Sequence, residues 1–293
     1  MRLADIDGAD APVELASVPF HAQEAHHCGP ASLLAVLEAS GVETDYETVV
    51  SRVYIPGLKG SLQAEMTAAA RQFGRVAYRL PGEPEVLLAE VAAGRPVLVL
   101  LNLGLPSRPF WHFAVVVGYN PETNRVLMRS GTEPRLTKKA PGWLRQWDWA
   151  GRWAIVVLQP QQWPVQPDRR RLLQALAEFE DAAEPAAAHR VWQMAISHWP
   201  DEPVAWIGLG NTAHAQADWR GAENAYRRAL ELDPSNLPAR LNLASSLGDE
   251  GRSCAGLAEL ANVPPIEHPF SQAFVDLERA LSGACARSQR TRQ

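Results

Sequence analysis

One register recurs in the second half of this chain and limits what that half can become. Ala188, Trp192, Ala195 and Pro200 return 34 residues later as Ala222, Tyr226, Ala229 and Pro234. Small residue, aromatic, small residue and proline at helical spacing describe a helix crossing followed by a helix stop. A helix pair of that length cannot bury its apolar face alone, so successive pairs must stack. The register extends both ways. Phe179 begins the pattern of a first copy over 169–202, and Trp206, Leu209, Gly210 and Ala213 open the second over 203–236. Leu243, Ala244, Leu247 and Leu260 keep the apolar face of a third over 237–270, whose final proline position is occupied by His268. Residues 271–281 then read as a capping helix and 287–293 as a frayed tail.

Upstream of the repeats, Gln159–Asp168 carries Pro160, Pro164 and Pro167 and reads as an extended connector. It divides the chain into a first domain over 1–158, a linker over 159–168 and a helical-repeat domain over 169–286. Two domains also suit 293 residues, since single cores stop growing near ~250. The first domain mixes patterns. Cys28 precedes a helix that begins around Pro30 and is stopped by Gly41, and Asp45–Val53, Leu62–Phe73 and Pro84–Ala93 read as three more helices. Val97–Leu101, Phe113–Tyr119, Val126–Ser130 and Trp153–Leu158 read as strands, the middle two joined as a hairpin. Helices first and an antiparallel sheet afterwards predict an α+β domain ahead of an all-α one.

Composition excludes several classes. Hydrophobic residues are 46% and charged residues 21%, too rich in buriable surface for a disordered chain. A net charge of -5 offers no overall footprint for nucleic acid or anionic lipid. The apolar runs at Val97–Leu103 and Phe113–Val117 fall far short of the ~18 residues of a transmembrane segment. Three cysteines cannot make a disulfide framework; Cys254 and Cys285 can pair or stay inert, and Cys28 is left over.

Cys28 carries the chemistry. A thiol at a helix N-terminus is favoured as thiolate by oriented backbone N–H groups. Its base must come from elsewhere in the fold, and His112, opening the run Phe113-Ala114-Val115-Val116-Val117-Gly118-Tyr119, supplies an ionisable ring at the start of a buried strand. Gln23 adds an amide donor that can join the Cys28 backbone N–H around an oxyanion. A metal reading of His21, His26, His27 and Cys28 lacks paired ligand spacing, and no cofactor is called for. His189, His198, His214 and His268 decorate the repeats. Among the tryptophans, Trp143, Trp147, Trp149 and Trp153 are assigned to packing and Trp111 to a cleft wall.

Two resemblances follow from these residues. The second half resembles tetratricopeptide repeats through Trp206, Leu209, Gly210, Ala222, Tyr226, Ala229 and Pro234. The first 158 residues resemble the bacteriocin-processing, papain-like cysteine peptidases that cleave double-glycine leaders, through Gln23, Cys28-Gly29-Pro30-Ala31 and His112–Tyr119. That resemblance implies a papain-like fold, with Cys28 as nucleophile, His112 as general base and acid, and Gln23 as oxyanion-hole side chain. The family places an Asp, usually followed by Pro, on the strand after the histidine. Here Arg129-Ser130-Gly131-Thr132-Glu133 stands there, and Ser130 is taken as third member, with Glu133 and Asn120 as alternatives. No Gly-x-x-x-x-Gly-Lys-Ser/Thr loop of an attached transporter occurs.

Together these features predict a cysteine peptidase whose peptide or protein substrate is recruited by the concave face of the repeats. A peptidase-like binding adaptor without turnover is the alternative, and an acyl transferase uses the same groups. The two-part organisation resembles exported or lipid-anchored bacterial proteins, which would place it in the periplasm once an N-terminal signal is removed and in the cytoplasm otherwise. Residues 1–20 show no such signal.

Overall fold

Seven strands pair antiparallel in one sheet, and the placement of the candidate residues follows from their register. The computed structural model describes residues 2–261, 263 and 271–290. The chain divides into two compact units, Met1–Ala183 and Glu184–Gln293.

The first unit contains strands β1 (Val13–Glu14), β2 (Val76–Arg79), β3 (Val97–Asn102), β4 (Trp111–Asn120), β5 (Arg125–Ser130), β6 (Glu133–Lys139) and β7 (Ala154–Leu158). Its helices are α1 (Cys28–Ala39), α2 (Tyr46–Val53), α3 (Gln63–Gln72), α4 (Pro84–Ala92), α5 (Ala140–Asp148) and α6 (Arg169–Glu180). The sheet order is β2-β7-β3-β4-β5-β6, and β1 pairs with the end of β4 that β3 leaves uncovered. Helix α1 is buried from Gly29 through Leu37. It packs on Leu98, Leu100, Phe113, Val115, Val117, Ile155 and Val157, one face of the central strands. Such side chains contribute about 1.5–3 kcal/mol each on full burial, which anchors α1 on the sheet. Asp45 caps α2 by accepting from the Thr48 amide at 2.8 Å.

The expected helices and strands form, with ends shifted by one or two residues. Elements not anticipated are β1, β2, β6 and α5. Strand β6 escapes notice because Glu133-Pro134-Arg135-Leu136-Thr137-Lys138-Lys139 is an exposed edge strand, and charged residues there prevent edge-to-edge pairing while hiding the strand pattern. Trp143 and Trp147 lie one turn apart on α5, fully buried and stacked at 5.2 Å, and the Trp147 indole donates to Trp153 O at 3.0 Å. Trp143, Trp147 and Trp153 are thus core residues, Trp149 is half-buried, and Trp111 is exposed.

The proline-rich segment is strapped down rather than free. The Val165 amide donates to Glu90 Oε1 at 2.7 Å, and the Asp168 amide donates to Tyr78 Oη at 2.9 Å. Glu90 is fully buried and also pairs with Arg95 at 2.5 Å. Helix α6, the expected first helix of the repeats, joins this unit through the Arg71–Glu178 ion pair and packing on β2. The unit boundary therefore falls after Ala183.

The second unit is helical: α7 (Pro185–His198), α8 (Pro203–Ala215), α9 (Trp219–Leu232), α10 (Leu237–Asp249), α11 (Ser253–Leu260) and α12 (Ser271–Arg290). The small residues of the repeat lie at close crossings. A Cβ on Gly208 would stand 2.2 Å from the Trp192 ring, and one on Gly210 would stand 2.5 Å from the Tyr226 ring. Asp218 and Asn236 cap α9 and α10 by accepting from Gly221 N and Ala239 N. The expected capping helix is α12, which continues to Arg290, into the segment expected to fray; Leu281 packs with Leu241, Ala244 and Leu260. Cys254 and Cys285 form a disulfide between α11 and α12, and Cys28 is free. His268 and residues 291–293 lie outside the described residues. Among the described residues no helix is long and apolar enough to cross a membrane.

Candidate active site

Cys28 is the first residue of α1, where backbone N–H groups lack intrahelical partners. The preceding turn is held tightly. His26 adopts φ +69, a left-handed conformation that costs a non-glycine residue about 1–3 kcal/mol and tends to mark functional turns. His27 is fixed on both sides, by Tyr46 Oη at 3.1 Å from its Nδ1 and by the edge-on Tyr54 ring at 4.5 Å. Gly29 must lack a side chain, because a Cβ would come within 2.4 Å of Ser61 Oγ. This contact presses the 60–62 turn against the helix start.

His112 lies near the start of β4 and directs Nε2 to Ser130 Oγ at 2.8 Å. The register explains why that partner is Ser130. Near the hairpin loop Gly118 faces Leu127, but an irregularity at Val117 shifts the pairing so that Val116 faces Met128 and Val115 faces Arg129. Continued by one residue, the shifted register sets Ser130 opposite Ala114, on the same sheet face as His112. Without that extra residue, Ser130 would point to the other face. With Nε2 bonded to the hydroxyl, Nδ1 is the ring nitrogen outside that bond.

Gln23, Cys28 and His112 line one cleft of about 660 Å³. The Gln23 backbone N–H donates to Gly131 O at 3.2 Å, tying the Gln23 loop to the end of β5. Apolar walls come from Leu58, Leu62, Leu103, Phe110, Trp111 and Phe113. Ser130 is buried behind the ring. Of the alternatives for the third position, Glu133 is exposed at the start of β6, where its charge acts on Lys138. Asn120 lies at the far end of β4 and accepts from the Thr123 amide. Neither is bonded to His112.

Burial dominates the electrostatics and reverses one expectation. It pushes the Cys28 thiol up, against the lowering effect of backbone N–H groups of Phe113 and Gly29. The helix N-terminus does lower it, but by less than desolvation raises it. Burial also pushes His112 down to about 4, and the Lys138 ammonium adds to that shift. At neutral pH burial therefore favours the thiol of Cys28 and the neutral imidazole of His112. Lys138, held by Gln146 Oε1 at 2.8 Å, was not foreseen as part of the site; a lysine on an edge strand carries no sequence signal of its own.

The metal reading finds no support in the geometry. His21 bonds to Glu38 at 2.6 Å and His27 to Tyr46, and among the described residues no three His, Cys, Asp or Glu side chains gather. In the second unit, His189 bonds to Thr212, His198 lies 3.3 Å from Met194 O, and His214 pairs with Asp249.

Comparison with known proteins follows the same division. Residues 15–140 match the family described as "Peptidase_C39 like family", and residues 203–246 match the tetratricopeptide repeat. A crystal structure named for a C39-like peptidase of Bacillus anthracis is similar at 18% identity, over 51% of this chain and 98% of its own, with a TM-score of 0.44. No curated protein matches the chain. The chain thus carries a peptidase C39-like domain, in which Cys28 and His112 line one cleft, followed by a helical region with a tetratricopeptide repeat.

Proposed function

We propose that the protein is a cysteine peptidase that hydrolyses a peptide bond in a protein or leader-peptide substrate recruited by its repeats. The observation that carries this reading is the His112–Ser130 bond, which orients the imidazole in the cleft it shares with Cys28 and Gln23. As the Cys28 sulfur attacks the carbonyl carbon, His112 takes the thiol proton. The oxyanion is received by the Cys28 backbone N–H and the Gln23 side chain. Collapse breaks the C–N bond, His112 passes its proton to the leaving amine, and a thioester remains. Water, deprotonated by His112, releases the acid and returns the thiol. Ser130 holds the ring in the required orientation but, being neutral, stabilises the imidazolium less than a carboxylate would.

The working form is thiol with neutral imidazole, populated above the His112 value of about 4 and below the raised Cys28 value. Peptide cleavage is therefore expected to hold a plateau through neutral pH, with its acid limb well below the ordinary histidine range. The test is haloacetamide labelling of Cys28 read by mass spectrometry, with cleavage of a peptide library alongside, in the parent and in His112→Ala. Cleavage in the parent that the substitution reduces ~10²–10⁴-fold supports the peptidase, while labelling, which follows the thiolate fraction, reports whether Cys28 stays accessible. An accessible Cys28 with no cleavage leaves the binding adaptor, the reading that the neutral Ser130 and nearby Lys138 favour.

A further inference from the structure

Two short turns contribute to the lining of the cleft, and among the described residues they gather most of the exposed apolar bulk. Among the described residues eight large hydrophobic side chains are exposed, and five of them are here: Leu58, Leu62, Leu105, Phe110 and Trp111, each 48–62% exposed. The other three are isolated valines. Scattered exposed apolar residues need no explanation, but a concentration of this kind marks an interaction surface.

The turns are built to hold these tips outward. In the first, the Ile55 amide donates to Gly60 O at 2.8 Å, and Leu58 N bonds to Ile55 O at 3.0 Å. In the second, buried Asn102 accepts from Gly104 N at 3.0 Å and Phe110 N at 2.9 Å, while Leu105 and Arg108 bridge at the tip. Their charge is one-sided. Residues 54–62 and 102–112 contain Lys59 and Arg108, both exposed, and no Asp or Glu, in a chain whose net charge is -5. The nearest carboxylate in sequence to the nucleophile, Glu24, faces His27 at 3.8 Å.

We infer that the mouth of the cleft docks on an anionic membrane surface, with the leucine and aromatic tips entering the interface and Lys59 and Arg108 meeting lipid phosphates. Leu, Phe and Trp beside Lys and Arg is the composition that binds the headgroup boundary. Leu105 and Arg108 decide against a peptide alone. They stand outside the cleft lining, at the hairpin tip, where a substrate reaching Cys28 has no use for them but a surface laid across the mouth does. This inference does not depend on turnover at Cys28.

The test is co-sedimentation of the full chain with phosphatidylcholine vesicles, with and without phosphatidylglycerol, at low and high salt. Binding is expected only with the anionic lipid, weakened by salt. Arg108→Glu should reduce partitioning at least about fivefold, the worth of one interfacial cation, and Leu105→Ser should reduce it severalfold. Both substitutions are exposed and outside the cleft, so thermal unfolding and Cys28 labelling should match the parent. Absence of sedimentation with either vesicle overturns the inference. So does binding that the two substitutions leave unchanged, or substitutions that alter only the KM of a soluble peptide, which would assign the tips to a peptide partner.

Discussion

The two units use polar groups in opposite ways. Around the cleft of the first, neutral polar groups are buried or half-buried, namely Ser130 behind His112, the thiol of Cys28, and Asn102 under the hairpin, while the buried charges Glu90 and Arg129 are bonded elsewhere. In the second, apart from buried Thr212, Ser246 and Ser253, the polar groups are mostly charged and near solvent, as in the cluster of Glu223, Arg227, Arg252 and Glu259. Exposed pairs of that kind are worth about 0–1 kcal/mol each, so the repeats owe their stability to close crossings and the disulfide. Buried neutral groups contribute little to folding, yet small changes in charge around them move a pKa by whole units. The first unit is therefore tuned for reactivity and the second for shape.

That contrast is open to attack, the largest effects lying in the second unit. Gly208→Leu forces a side chain into the Trp192 ring and is expected to destabilise the helical unit by about 3 kcal/mol or more, seen as an early transition in denaturant. Slow, native-like labelling of Cys28 should persist through that transition; if it accelerates to the rate of an exposed thiol as the helices unfold, the units are not independent. Cys254→Ser with Cys285→Ser opens a 31-residue link and should cost about 3.7 kcal/mol by loop-closure entropy, measured as a lower midpoint of the same transition.

In the first unit the effects are on pH, not on folding. Ser130→Asp puts a carboxylate against the imidazole, favours its charged form, and should raise the His112 value by about 1–3 units. Imidazolium then forms at higher pH and can pair with thiolate, so labelling of Cys28 below pH ~6.5, the ordinary histidine value, should accelerate. An unchanged profile would mean the Ser130 position does not control His112. Lys138→Met removes a cation that lowers His112 and should move the acid limb of cleavage upward by less than about one unit. No movement would leave burial as the sole cause of the shift.

Much of this arrangement was legible in the sequence, in proportion to how local each signal is. The repeats were readable because each copy repeats the same demand: a small residue where an aromatic crosses, as Gly210 meets Tyr226. Cys28 was readable because Pro30 and Gly41 bracket its helix. Ser130 could be taken as third member ahead of Glu133 and Asn120, but the register that sets it on the His112 face could not be read. That register depends on one extra residue at Val117, and nothing in Val115-Val116-Val117 announces it. Helix α6 was legible as a helix but not as a member of the first unit, because its partner strand β2 lies ninety residues upstream.

By itself the sequence determined the class of each half, the 34-residue register, the position of a thiol at a helix start and the ring at the head of a strand. These rest on periods and caps, which act over a few residues. Only the tertiary structure decided that burial favours the neutral forms of Cys28 and His112, that the Lys138 charge adds to the His112 shift, that Cys254 meets Cys285, and that five apolar tips and two cations gather at one cleft mouth in an acidic chain. Desolvation, charge proximity and surface clustering are set by atoms far apart in the chain, and no local pattern encodes them.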